Sequence, residues 1–538
     1  MASNSVADSG ATQSDVIIIG GGHNGLIAAL YLARAGKKVT VLEKHRECGG
    51  ATASVRAFAG VDAKLSRYSY LVALLPDQIV RDLELDFHTI SRDVSSFTPY
   101  LSEGASGSDI KHDGILINRN FDDQSAASIL RKSGNSTDVE NWRDFYSRIA
   151  TFAEIVAPTM LEPLITASQM RARIAAQLGQ AEADRLWREL IETPLDVTLR
   201  NYFSDDVIQG IVLTDGLIGT FASAADKAAN ICFLYHLIGN GTGEWKVPRG
   251  GMGALVSELL RKCHERGISI HTNAEVTELR EIPEGVVVKT RDGSLFQGEY
   301  ALAACSPHML ERISGIKAPP SLDGSQLKIN MVLRELPELK SGVDPKVAFA
   351  GTFHIDESFS TLESAYRSAK AGKIPDPIPS EMYCHTLTDG TILSEELRNR
   401  GVHTLTLFGI HIAASLFDKN HDEMKAEITR RTLDGLNRYL VRPIQEYLER
   451  DANGELCIEV KTPIELERDI DLPRGNIFHG DLDFPWLEDQ GEKGESARLW
   501  GCETTSERIF LAGAGALRGG GVSGIAGHNA AMALLDRF

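Results

Sequence analysis

Asp15-Val-Ile-Ile-Ile-Gly20-Gly-Gly-His-Asn-Gly25-Leu-Ile-Ala-Ala-Leu-Tyr-Leu-Ala-Arg-Ala35 is the stretch whose reading decides the fold. Its first residues form a continuous apolar, β-branched run, the pattern of a strand buried on both faces of a parallel sheet. The chain then turns on Gly20-x-Gly22-x-x-Gly25 and enters a helical pattern that Gly36 closes. A second strand, Val39-Thr-Val-Leu-Glu43, ends on an acid.

Each part of this unit has a physical reason. Gly20 permits the tight turn, Gly22 lets the backbone approach a pyrophosphate at the helix N-terminus, and Gly25 lets helix and strand pack closely. Glu43 is placed to accept hydrogen bonds from ribose hydroxyls. His23 and Asn24 lie inside the turn and Lys44 follows the acid, so all three are candidate cofactor contacts. The unit alone does not separate FAD from NAD. Beyond the ribose acid, however, Gly49-Gly50-Ala51 offers a second close backbone approach, which an extended FAD needs. No later G-x-G-x-x-G follows a strand, so a separate NAD(P) domain is not expected.

The chain has 538 residues, 43% of them hydrophobic, enough for a large core and too many for one ordinary core. Two interleaved domains are expected: residues 15–86, 244–318 and 501–538 as a cofactor-binding domain, and 87–243 with 319–500 as a substrate domain. Residues 1–14 read as a disordered tail that fits neither a secretory signal nor a mitochondrial leader. A formal net charge of -18 disfavours an extended nucleic-acid surface. No apolar run approaches the roughly 20 residues that span a bilayer, so no transmembrane helix is expected, while peripheral membrane contact and oligomeric state stay open. The seven scattered cysteines contain no C-x-x-C, which points to a reducing, cytoplasmic setting, to no bound metal, and away from a dithiol reductase.

Two further stretches carry chemistry. Gly513-Ala514 and Gly519-Gly520-Gly521-Val522 form a glycine turn feeding a terminal helix, whose N-terminal dipole suits developing negative charge on a ring. In Gln326-Leu-Lys328-Ile-Asn-Met-Val-Leu333, period two puts Lys328 and Asn330 opposite an apolar face, so a lysine can point into a cavity.

Taken together, the segments at Gly20, Pro248-Arg-Gly-Gly-Met-Gly-Ala-Leu, Gly475-Asn-Ile-Phe-His-Gly480 and Gly519 onward resemble the phytoene-desaturase-related flavoproteins. The nearest branch in motif is that of the pyridine-nucleotide-disulfide-oxidoreductase-domain proteins. The resemblance covers almost everything from Asp15. It implies an α/β, two-domain FAD-binding fold of the glutathione-reductase/amine-oxidase type, a Rossmann-like FAD domain plus a mixed sheet-and-helix substrate domain, with FAD held non-covalently.

By the same likeness, the strand at Val276 supplies backbone contacts to the adenine and the terminal segment closes over the flavin. Lys328 matches a lysine that holds a water at flavin N5 in amine oxidases and relatives. Tyr68 and Tyr70 are candidate walls of the substrate cavity. For His23 and His479, proton carriage and a structural role are both open. Arg518 stands where relatives commonly have part of a His-Pro pair, and it is expected to add positive charge near the reduced flavin, favouring its anionic form.

The expected activity is FAD-dependent dehydrogenation of a largely apolar small molecule, by desaturation with isomerisation as a further outcome, electrons passing to oxygen, a quinone or another acceptor. One alternative is C–N oxidation of the amine oxidase type, against which stand Val522 in place of an aromatic and Ala51 in place of an arginine. A second is a non-catalytic prenyl- or lipid-binding relative.

Overall fold

Five short strands build a parallel sheet in the order Ser269–His271, Val39–Leu42, Val16–Ile19, Tyr300–Ala303 and Ile509–Leu511. The computed structural model describes residues 11–103, 110–489 and 499–538. Val16–Ile19 sits in the middle of the sheet and all four of its residues are buried, which is why its sequence is apolar without alternation. Each such isoleucine withdrawn from water contributes roughly 1.5–3 kcal/mol. Three antiparallel strands, Val276–Ile282, Gly285–Thr290 and Leu295–Gly298, form a meander beside this sheet.

Part of the segment 1–14, expected as a disordered tail, is a strand. Thr12–Gln13 pairs in parallel with Phe296 and Gln297, extending the meander by one strand. Residues 1–10 lie outside the described ones.

A second, seven-stranded mixed sheet runs Ile458–Lys461, Leu327–Leu333, His403–Gly409, Ser380–Tyr383, Thr352–Ile355, Val94–Glu103 and Ile110–Asn118. Leu327–Leu333 is interior to this sheet and wholly buried. Its odd residues join the apolar core on one side while Lys328 and Asn330 are presented to the other. Of the helices between residues 123 and 238, Asp123–Ser133 packs on the strand Ile110–Asn118 and Ser136–Val156 packs on Lys227–Ile238; the helix Lys227–Ile238 is buried on nearly every side. Among the described residues, no helix is long and apolar enough to cross a membrane.

Candidate active site

A cavity opens just beyond the carboxyl ends of the central parallel strands. In parallel sheets this edge is where ligands bind, because helix N-termini and loops converge there. Part of its wall is Gly20, Gly22, Asn24, Glu43 and Val276; another part, from the seven-stranded sheet and its covering segments, is Tyr70, Trp245, Lys328 and Phe408.

The first glycine turn divides its labour. Gly25 is tied to packing: a Cβ there would stand 2.2 Å from the carbonyl oxygen of Gly20. Gly20 has φ +109 and would crowd the Ala304 backbone at 3.2 Å. Gly22 is different, since it lines the cavity and a Cβ would meet nothing within 4 Å. Its space belongs to a ligand. Glu43 accepts from the Gly21 amide at 2.8 Å and from the His45 amide at 2.8 Å, so the acid fastens the turn; it also lines the cavity, and each oxygen retains a further lone pair.

The two glycine motifs touch. The Gly521 main chain is close enough to the His23 ring to favour its charged form, and the helices His23–Arg34 and Ile525–Leu535 pack so tightly that a Cβ on Gly527 would lie 2.0 Å from the Asn24 carbonyl. Ala514, Gly521 and Val522 reach the cavity wall. Gly513 and Gly520 do not; they permit close approach to Ala304 and to the Phe478 ring.

Three buried polar atoms in this cradle have no partner in the protein: His23 Nε2, Asn24 Oδ1 and His479 Nδ1. Buried and unmet, each costs about 1–3 kcal/mol, and all three belong to cavity-lining residues. An open Gly22, an acid at the ribose position and unmet polar groups fit a dinucleotide. Burial lowers both His23 and His479 to a pKa of about 4, so both rings are neutral at neutral pH and serve as hydrogen-bonding groups.

Arg518 is not part of this wall. Its backbone is left-handed, φ 65, and its side chain is turned into the protein, only 1% exposed. Nη1 donates to the carbonyls of Thr159 and Glu162, each at 2.8 Å, and Nη2 to that of Trp500 at 3.2 Å. The expected contribution of positive charge at the flavin is therefore corrected: the guanidinium is a three-carbonyl strap that ties the terminal glycine loop to the helical region.

Lys328 does face the cavity. Its Nζ donates to the carbonyls of Ser66 at 2.8 Å and Ser69 at 3.1 Å, which leaves one valence of the nitrogen free. Burial lowers its pKa well below that of an ordinary lysine. In the sheet register Lys328 opposes Phe408, Phe408 opposes Glu381, and Glu381 opposes His354, so four adjacent strands contribute one continuous rung. Tyr70 lies against this rung: its ring is 4.4 Å from Phe408, and its hydroxyl donates to Glu381 Oε1 at 3.0 Å, with Tyr383 Oη at 3.1 Å. His354 pairs with Glu357 at 2.5 Å.

Glu381 is pushed up to about 7 by burial, with Glu357 adding to the rise; Tyr383, His354 and Tyr70 act in the opposite sense. A carboxyl with a raised pKa keeps its proton in the folded protein at pH values where the unfolded chain has lost it. Its destabilising effect is thus absent below pH about 4.5, grows up to pH about 7 and is complete above that, reaching at most roughly 3 kcal/mol. Glu381→Gln should gain thermal stability relative to wild type as pH rises from 5 to 8, read as the difference in unfolding midpoints. A difference that does not vary with pH would show that Glu381 is already ionised throughout.

Of the residues picked out in the sequence, the cavity wall brings together Gly20, Gly22, His23, Asn24, Glu43, Lys44, Gly50, Ala51, Tyr68, Tyr70, Val276, Lys328, His479, Ala514, Gly521 and Val522. Gly25, Gly49, Gly513, Gly520 and Arg518 support it from outside the wall; Gly49 does so by donating its amide to the Gly21 carbonyl at 3.0 Å. Sequence reasoning missed Glu381, Phe408, Trp245 and His236. Only His236 carried a sequence signal, as the one imidazole in an otherwise apolar helical run, Ile231 to Ile238.

Comparison with known proteins agrees with this geometry. Residues 25–326 match the family described as flavin containing amine oxidoreductase. An uncharacterised protein of Mycobacterium tuberculosis is 42% identical, with 97% of each chain covered. Pyridine nucleotide-disulfide oxidoreductase domain-containing protein 2 of mouse is 28% identical, covering 96% of this chain and 93% of the mouse protein. A carotenoid 3,4-desaturase of Haloarcula japonica is 25% identical over 52% of this chain and 53% of its own. Among solved structures, a redesigned putrescine oxidase superposes with a TM-score of 0.56 at 17% identity, covering 98% of this chain and 100% of the oxidase, a likeness of fold.

The fold and site thus define a flavoprotein oxidoreductase. The chain belongs to the flavin containing amine oxidoreductase family, and FAD is its cofactor.

Proposed function

We propose that this protein dehydrogenates a largely apolar small molecule in the chamber beside its FAD site, electrons passing on to oxygen, a quinone or another carrier. The observation that carries this reading is the continuity of the nucleotide cradle with a chamber walled by Leu71, Leu74, Ile218, Phe408 and Phe478, with Lys328 buried in its side. The desaturase relative named above, acting by its name on a carotenoid, supports an apolar substrate.

In this reading FAD, when bound, supplies a two-electron acceptor for hydride. The protein's own part is to bind and to exclude water. The apolar walls strip solvent from the substrate and hold it by burial, so that electrostatic interactions inside are strong. Gly22 and the helix behind it hold the pyrophosphate, and Glu43 takes ribose hydroxyls. Lys328, already fixed by two carbonyls, has one direction left for a hydrogen bond and positions a water or substrate atom there. Arg92, whose guanidinium lies 5.7 Å from the Tyr383 ring centre and donates to the carbonyl of the wall residue Trp245, sets a cation beside the aromatic end, which disfavours an ammonium substrate.

The test is anaerobic mixing of the FAD-loaded protein with polyenes, retinoids, hydroxylated metabolites and amines, followed by flavin bleaching. Bleaching by an amine alone would replace this reading with C–N oxidation. With a substrate in hand, Lys328→Met should keep its FAD and slow flavin reduction or reoxidation at least tenfold, by stopped-flow absorbance. Unchanged kinetics in both half-reactions would remove Lys328 from the chemistry.

A further inference from the structure

His236 sits on the helix Lys227–Ile238, 6% exposed, and lines the cavity. Its Nδ1 lies 3.1 Å from the Cys232 carbonyl oxygen, one turn back. The Cys232 thiol also lies 3.7 Å from Nδ1, but its hydrogen has the Ile218 carbonyl at 3.2 Å; the Cys232 carbonyl offers only lone pairs, so Nδ1 carries the hydrogen and the neutral ring bears its free lone pair on Nε2. Burial, which lowers the pKa of this histidine to about 4, keeps the ring in that neutral form at neutral pH. The ring cannot turn freely, because Trp245 stacks on it at 4.9 Å with an interplanar angle of 26°. Nε2 is buried and has no partner in the protein.

A fixed, dry acceptor in the wall of a largely apolar chamber is a recognition element, since a ligand that donates to it recovers a hydrogen bond that a hydrocarbon leaves unmade. The donor should be neutral. Arg92 donates through Nε to the Trp245 carbonyl at 3.2 Å, so a cationic donor at His236 would meet a guanidinium held on the stacked Trp245. We propose that His236 Nε2 accepts a hydrogen bond from a hydroxyl on the substrate, making the substrate class of this enzyme an apolar molecule that carries an alcohol. This deepens, and rests on, the reading of the chamber as the substrate site.

The test compares limonene with perillyl alcohol, which differ by one hydroxyl, in equilibrium binding to the FAD-loaded protein, followed by perturbation of the flavin spectrum and by tryptophan fluorescence. Partition from water alone would favour the hydrocarbon. The expected result is at least tenfold tighter binding of the alcohol to the unaltered protein, and loss of that preference in His236→Phe. Equal or tighter binding of limonene to the unaltered protein would overturn the proposal, and this arm needs no variant to fold. A preference that survives in a folded His236→Phe would overturn it as well. FAD content is measured first: a protein that takes up no FAD defeats the flavin reading, while the hydroxyl preference is still read from fluorescence.

Discussion

Gly22→Val should yield a folded protein that has lost its FAD. The native backbone at this position, φ -77 and ψ 174, is extended and open to any residue. A Cβ there meets nothing within 4 Å. Neither strain nor collision therefore opposes the substitution, and the midpoint of thermal unfolding of the FAD-free protein should stay near wild type. What changes is the space over the N-terminus of the helix His23–Arg34, which the added methyl groups fill and in which a pyrophosphate would take main-chain hydrogen bonds. We expect FAD affinity to fall at least 100-fold, equivalent to about 2.7 kcal/mol, measured as flavin absorbance retained per chain after desalting.

Gly25→Ala is the control that separates the two functions of the motif. Its Cβ would stand 2.2 Å from the Gly20 carbonyl oxygen, a contact between backbones that no side-chain rotation relieves. That variant should be unstable with or without FAD. Stability must be compared on stripped protein, because a ligand bound only to the folded state raises its unfolding midpoint by mass action. If Gly22→Val kept its flavin, or if it proved as unstable as Gly25→Ala, the cradle would be misassigned.

The difference between these two glycines shows what the sequence could and could not disclose. The strand, turn, helix and acid are contiguous, and their geometry follows from local rules, so the cofactor domain's core was legible from Asp15 to Glu43. Lys328 was legible by alternation, because Leu327–Leu333 obeys period two and the apolar face identifies its opposite. The rung on which Lys328 lies was not. Placing Phe408, Glu381 and His354 beside it requires the register of residues 26 to 80 positions away in sequence, which no local pattern encodes. Glu381 in particular reads as a surface acid until its neighbours Tyr70 and Tyr383 are known. Arg518 was misread for a related reason: nearness in sequence to a flavin-facing glycine says nothing about the direction of a side chain once the backbone turns left-handed.

Replacing Arg518 decides whether its charge or its shape matters. The guanidinium spans three carbonyls from two distant segments, 159–162 and 500, and is buried, with its pKa lowered to about 10 by that burial, so it stays charged at neutral pH. Arg518→Leu leaves those carbonyls without their donor in the interior, at a cost of about 1–3 kcal/mol for each that finds no water. The unfolding midpoint of the FAD-free protein should fall sharply. Arg518→Lys is the informative companion. It preserves the positive charge, yet one ammonium on a linear stem cannot reproduce a planar fork that reaches carbonyls on both sides. A strap therefore predicts that Lys behaves much like Leu in stability, with the flavin potential unchanged in whatever holoprotein each variant forms. A charge acting on the flavin predicts the reverse, with Lys near wild type and Leu shifting the potential. The backbone explains why a proline was not an option here: φ 65 lies outside the range a pyrrolidine ring allows. A chain that turns left-handed before its three glycines must therefore anchor this loop by a side chain, and the forked contacts of Arg518 provide that anchor.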